Sequence, residues 1–111
     1  MPIFITQGRY TREAIKGMIT KPEDRADAVS RLFAKGGGRL LNYYVTFGDY
    51  DFMIIGQAPS ETQMAAILMA AGSSGGISGL RTTLAISSIE AKGALAAAGD
   101  LAPGFRSAGG A

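Results

Sequence analysis

The 111-residue sequence has no cysteine, no histidine and no tryptophan. Without cysteine there are no disulfides, no thiol nucleophile and no thiolate metal site. Without histidine the commonest metal ligand and the commonest general base near neutral pH are both missing. No apolar run approaches the ~20 residues that span a bilayer, so no membrane partner is expected. Met1-Pro2 leads into a strand-like run without a basic leader, and a cytoplasmic protein is the default expectation. Dense positive charge is lacking too. The 11 Lys and Arg residues are scattered and leave a net charge of only +2. A dedicated nucleic-acid binder concentrates such charge, so no nucleic-acid partner is expected.

What the chain does have is apolar residues, 47% of the total, in patterns that suit a single domain. The most informative stretch is Leu40 to Ala58. Two runs of β-branched and aromatic residues flank Gly48-Asp49, a hairpin pattern. A two-residue turn there pairs Phe47 with Tyr50, Val45 with Phe52, Tyr43 with Ile54 and Leu41 with Gly56. Gly48 then needs φ > 0. Because side chains alternate, this set forms one apolar face meant for the core. The other face carries Leu40, Asn42, Tyr44 and Thr46 opposite Asp51, Met53, Ile55 and Gln57. Such a mixed face suits a subunit interface or a lined cavity.

The remaining elements follow in order. Pro2 to Tyr10 reads as a strand. Thr11 caps a short helix with Ala14, Ile15, Met18 and Ile19 on one side. Pro22 suits the first turn of a longer helix, with Glu23 and Asp24 at its positive end. Ala26, Val29, Leu32 and Phe33 form its apolar stripe, and Gly36-Gly37-Gly38 stops it. Ser60 and Gln63 open another helix with a capping-box pattern, its buried stripe Met64, Ile67, Leu68 and Ala71. Ser73 to Gly79 reads as a Gly/Ser loop, and it lacks the Lys-Ser/Thr of a phosphate loop. Leu80 to Ser87 alternates as the last strand. Ser87 and Glu90 start a short Ala-rich helix to about Ala98, and Gly99 to Ala111 reads as a mobile tail.

The resulting order, β-α-β-β-α-β, predicts an α+β ferredoxin-like fold over residues 1–88. It has a four-stranded antiparallel sheet with helices on one face. A short helix over 89–98 and a tail over 99–111 follow. The bare sheet face, with Leu40, Asn42, Tyr44, Met53 and Ile55, predicts a homodimer or higher oligomer joined there.

Tyr43 to Phe52, with Gly48-Asp49-Tyr50-Asp51 at its centre, resembles the signature of the GYD domain family, a largely bacterial family named for that motif. Gly8-Arg9-Tyr10-Thr11, the Arg25 to Gly38 segment and Arg81-Thr82-Thr83 match its pattern in order. The likeness spans roughly residues 2 to 88. It implies a dimeric α/β barrel, the broad class of cofactor-free monooxygenases and muconolactone-isomerase-like proteins. It implies no particular activity, since fold does not fix function.

The candidate ligand-binding residues are Arg9, Tyr10, Tyr44, Tyr50, Asp51 and Arg81. Each has a simpler reading. Tyr50 packs beside the turn and Asp51 accepts local hydrogen bonds. Arg9 and Arg81 are rim charges, or else a bidentate clamp for an anion. Tyr10, Tyr43, Tyr44, Phe33 and Phe52 are plain core, or else they line a pocket for an aromatic or polyketide-like ligand. No catalytic set, metal site or cofactor is expected. The leading functional expectation is a non-catalytic binding or assembly module whose partners are itself and a small-molecule ligand. The alternative is a cofactor-free monooxygenase- or isomerase-like enzyme acting on a small aromatic or anionic substrate. A third is regulatory binding of a small ligand.

Overall fold

Side-chain oxygens at the helix starts fix much of the chain's punctuation. The computed structural model describes residues 1–110. Strand β1 (Ile3–Tyr10) ends where the Thr11 hydroxyl accepts the Ala14 N–H and starts α1 (Arg12–Thr20). The second helix begins later than its proline suggests. The Asp24 carboxylate accepts the Ala26 N–H at 2.9 Å, so α2 runs Arg25–Lys35 and Pro22 lies before it. Then come β2 (Arg39–Val45), β3 (Phe52–Gln57) and α3 (Glu61–Gly72), the last capped by Ser60. Strand β4 covers Ile77–Ala85 and α4 covers Ser88–Leu101. Ser87 and Glu90 form the full reciprocal capping box. Hydrogen bonds from the Ser87 backbone and hydroxyl hold the Glu90 carboxyl below the usual range.

The strands lie in the order β2-β3-β1-β4, every neighbour antiparallel. This is the expected ferredoxin-like α+β arrangement, with β1 and β3 central. Phe4, Thr6 and Gly8 of β1 lie opposite Gly56, Ile54 and Phe52 of β3, and all three β1 residues are buried. They face the helices. Phe33 of α2 reaches across this surface onto Gly56, where a Cβ would stand 2.5 Å from its ring. Phe4, Ala58, Met64 and Ile67 complete the buried cluster with Phe33.

The hairpin keeps the expected register from Val45 back to Asn42 and departs from it at both ends. The connection is the six residues Thr46–Asp51 and not a two-residue turn. The Asp51 N–H donates to the Gly8 carbonyl, and its carboxylate accepts the Tyr10 N–H, each within 3.0 Å. Asp51 is thus drawn toward β1. The Thr46 N–H still donates to the Asp51 carbonyl, which preserves the pairing. Phe47 is 98% exposed, so its expected place on the core face is corrected. At the other end a bulge at Leu41 pairs Leu40, and not Leu41, with Gly56. An extra residue in a ladder switches the faces beyond it. Leu40 consequently packs against the core rather than on the outer face, and Leu41 is exposed.

Two further boundaries move. Ile77 and Ser78 pair with Tyr10 and Arg9 beyond a register shift after Gln7, so β4 starts inside the expected loop. Helix α4 continues through Leu101, into the expected tail. Residues 102–110 follow as turns, and Ala111 lies outside the described residues.

Gly48 has φ +135° with nothing within 4 Å of a Cβ placed there. The position has room for a side chain but a backbone that L residues avoid. Gly48→Val is therefore expected to destabilise the protein by ~1–3 kcal/mol through backbone strain alone. Urea denaturation checks this, with no change in the m-value.

Candidate ligand pocket between sheet and helices

The sheet's inner face is packed unevenly. At the Phe4–Gly56 end, α2 and α3 close over it. At the other end, α1 spans the gap without burying any of its own residues. Its Ala14 and Met18 turn toward the sheet, but Ile15 and Ile19 stay exposed. The result is a pocket of about 620 Å³ between the sheet and helices α1, α2 and α3. That volume lies within the range of small-molecule sites, ~300–1,000 Å³.

The sheet supplies the floor. Phe52 lies at its centre, with the Tyr10 ring 5.1 Å away and the Tyr43 ring 6.1 Å away, centroid to centroid. Strand alternation brings these rings together. Tyr43 pairs with Ile54, two residues along the inner face from Phe52, and Tyr10 lies at the end of β1 on the same face. The Phe52 ring passes over Gly8, where a Cβ would be 2.6 Å from it. That close approach lets the aromatic floor sit low in the sheet. The Tyr10 and Tyr43 hydroxyls hydrogen-bond to each other. Burial, then this bond, pushes the Tyr43 phenol well above the ordinary tyrosine range, so at neutral pH it is an intact O–H. Beside them the Thr6 hydroxyl bonds to Thr82 at 2.9 Å.

The helices supply an almost wholly apolar roof, including Val29, Leu32, Ile67 and Leu68. Charge appears only where the α1–α2 connection meets α2, at Lys21, Glu23 and Arg25. Arg25 bonds to Glu23 at 3.2 Å across this exposed rim.

The sequence-based candidates divide between three places. Tyr10 alone lines the pocket. Tyr50 lies near the hairpin loop, with the Arg9 guanidinium 4.9 Å from its ring centroid. Asp51 holds the Tyr10 backbone and stays outside the pocket. Tyr44 and Arg81 lie on the outer sheet face opposite Met53 and Gln7. Of the aromatic set, Tyr10, Tyr43, Phe33 and Phe52 do line one cavity. Thr6, Lys21 and Arg25 join them and had carried no signal as candidates. Thr6 was legible only as a strand residue, and the two cations resembled ordinary surface charges. Among the described residues, no three or more Asp or Glu side chains gather as a metal site.

The family model described as the GYD domain matches residues 4–95. The chain belongs to the GYD domain family. The match runs beyond β4 into the first half of α4. No relative among the curated proteins matches this GYD domain. Among solved structures it is similar to TTHA0845 from Thermus thermophilus, at 16% identity and a TM-score of 0.51. That alignment covers 79% of this chain and 96% of the other. It is also similar to FFRP-DM1, at 15% identity and a TM-score of 0.49, covering 78% of this chain and all of the other. At such identity the Thermus likeness speaks for the fold alone. Among the described residues no helix is long and apolar enough to cross a membrane.

Proposed function

We propose that this GYD domain is a homo-oligomeric, non-catalytic binding module that holds an apolar small molecule between its sheet and its helices. The pocket carries this reading: about 620 Å³ of space, an aromatic floor and an aliphatic roof. A ligand of matching shape gains packing contacts along this lining. Binding is favoured over proton-transfer chemistry because the groups facing the space are poor bases. The Tyr43 phenol keeps its proton, and Glu23, the one carboxylate of the lining, is paired with Arg25 at the exposed rim. No cofactor figures in this reading.

The assembly half rests on the other side of the sheet. Asn42, Tyr44, Met53 and Ile55 share that face with Ile3 and Ile5 of β1; among the described residues α1, α2 and α3 line the opposite face and α4 buries none of its residues. A two-fold pairing of sheets covers it in both copies at once.

Native mass spectrometry of protein purified gently from its own host tests both halves. An oligomer carrying a reproducible extra mass per subunit is expected. Ala28 lines the pocket. Ala28→Phe should abolish the extra mass and leave the oligomer intact. A bare monomer, or an extra mass that survives Ala28→Phe, would overturn the reading.

A further inference from the structure

The hydroxyl-bearing residues that meet the pocket are Thr6, Ser74, Tyr10 and Tyr43. The Ser74 hydroxyl gives its hydrogen to the Ala71 carbonyl at 2.7 Å. Thr6 is 3% exposed, and its hydroxyl is bonded to Thr82. The tyrosines differ. Both are half-buried, and their hydroxyls bond to each other. One bond between two hydroxyls uses one of their two hydrogens. Among the described residues no third group takes the other hydrogen. Burial keeps the Tyr43 phenol protonated at neutral pH, so that hydrogen stays available. Water serves it while the pocket is wet. An apolar body that fills the pocket expels the water, and a donor buried without a partner costs its full desolvation. A spare oxygen lone pair is tolerated more readily than a spare hydrogen. The occupant must therefore bring an acceptor.

The charges at the rim select neither sign. Lys21 and Arg25 are matched by Glu23 and Asp24, and Arg25 is paired with Glu23 at 3.2 Å. The roof of Val29, Leu32, Ile67 and Leu68 offers a charged group nothing to replace its water.

We infer that the occupant of this pocket is a neutral ring compound whose oxygen acceptor, of the ketone or ether kind, takes the spare hydrogen of the Tyr10–Tyr43 hydroxyl pair. This rests on the pocket reading above and adds the ligand's chemical class. The rings of Tyr10, Phe52 and Tyr43 beside that hydrogen suit an aromatic body.

Equilibrium dialysis of the full chain against 2-acetylnaphthalene, 2-isopropenylnaphthalene and 2-naphthoate tests this. The first two share a shape and differ in a carbonyl oxygen against a methylene. The third carries a negative charge at neutral pH. The double variant Tyr10→Phe/Tyr43→Phe keeps both rings and removes both hydroxyls. In it the affinity of the ketone relative to the hydrocarbon should fall about tenfold. The hydrocarbon should bind there at least as well as before, because no donor is stranded beside it. In the unaltered protein naphthoate should bind about tenfold more weakly than the ketone, or worse. A ratio unmoved by the double variant, or an equal loss of both neutral probes, would overturn the inference and leave the pocket reading standing. Naphthoate binding as tight as that of the ketone would also overturn it. No binding of any probe, or binding that Ala28→Phe leaves intact, would overturn the pocket reading as well.

Discussion

Phe33→Ala is expected to lower the unfolding free energy by about 3–5 kcal/mol, the range for losing a fully buried aromatic side chain. Phe33 is 2% exposed and belongs to the buried cluster of the inner layer. Its ring lies on Gly56 of β3, and its neighbours include Phe4, Ala58, Met64 and Ile67. It also borders the pocket. Urea denaturation followed by far-UV circular dichroism checks this. A loss below about 1 kcal/mol would mean the ring is not central to the core. A domain of this size has ~5–15 kcal/mol in total, so the variant loses a large share of its folding stability.

Ile55→Asp is expected to split the proposed oligomer into monomers that remain folded. Ile55 lies on the outer sheet face between Ile5 of β1 and Asn42 of β2, where the chain's own helices do not reach. In a single subunit an aspartate at this half-buried position of a central strand still reaches water and costs about 1 kcal/mol. Between two paired sheets it becomes a charge without a partner, repeated by symmetry on both sides. Burying one unpaired carboxylate costs several kcal/mol, and two-fold pairing doubles it. Sedimentation or light scattering should give the monomer mass at micromolar concentration, with the circular dichroism spectrum unchanged. An unaltered oligomer mass would place the interface elsewhere.

Local chemistry made most of the fold legible. Thr11, Ser60 and Ser87 signal helix starts because their hydroxyls compete for backbone N–H groups, and each does so in the structure. The alternation through β1 and β3 shows the two sheet faces because successive side chains point to opposite sides of the pleat. What local pattern does not encode is interruption. The bulge at Leu41 exchanges the roles of Leu40 and Leu41, although both are leucine and either register is equally apolar. The hairpin connection opens because Asp51 answers to Gly8 and Tyr10, some forty residues earlier. The pocket was legible in part. Alternation shows that Tyr10, Tyr43 and Phe52 share a face, but not that the space above them stays open. That depends on how far α1 stands from the sheet, a tertiary quantity with no local signature. Lys21 and Arg25 become rim residues only through that geometry.

The last helix has a consequence of its own. Helix α4 buries none of its 14 residues, and Ile89, Leu95 and Leu101 are each more than 70% exposed. The molecule is 61 Å long with a radius of gyration of 18.1 Å, against ~13 Å for a compact chain of similar length. The strands and the first three helices do not lean on this arm. Substitutions along it therefore carry almost no folding penalty, whereas a change at Gly8, Phe33 or Gly56 disturbs the core at once. The two parts of the chain are free to drift at different rates under selection.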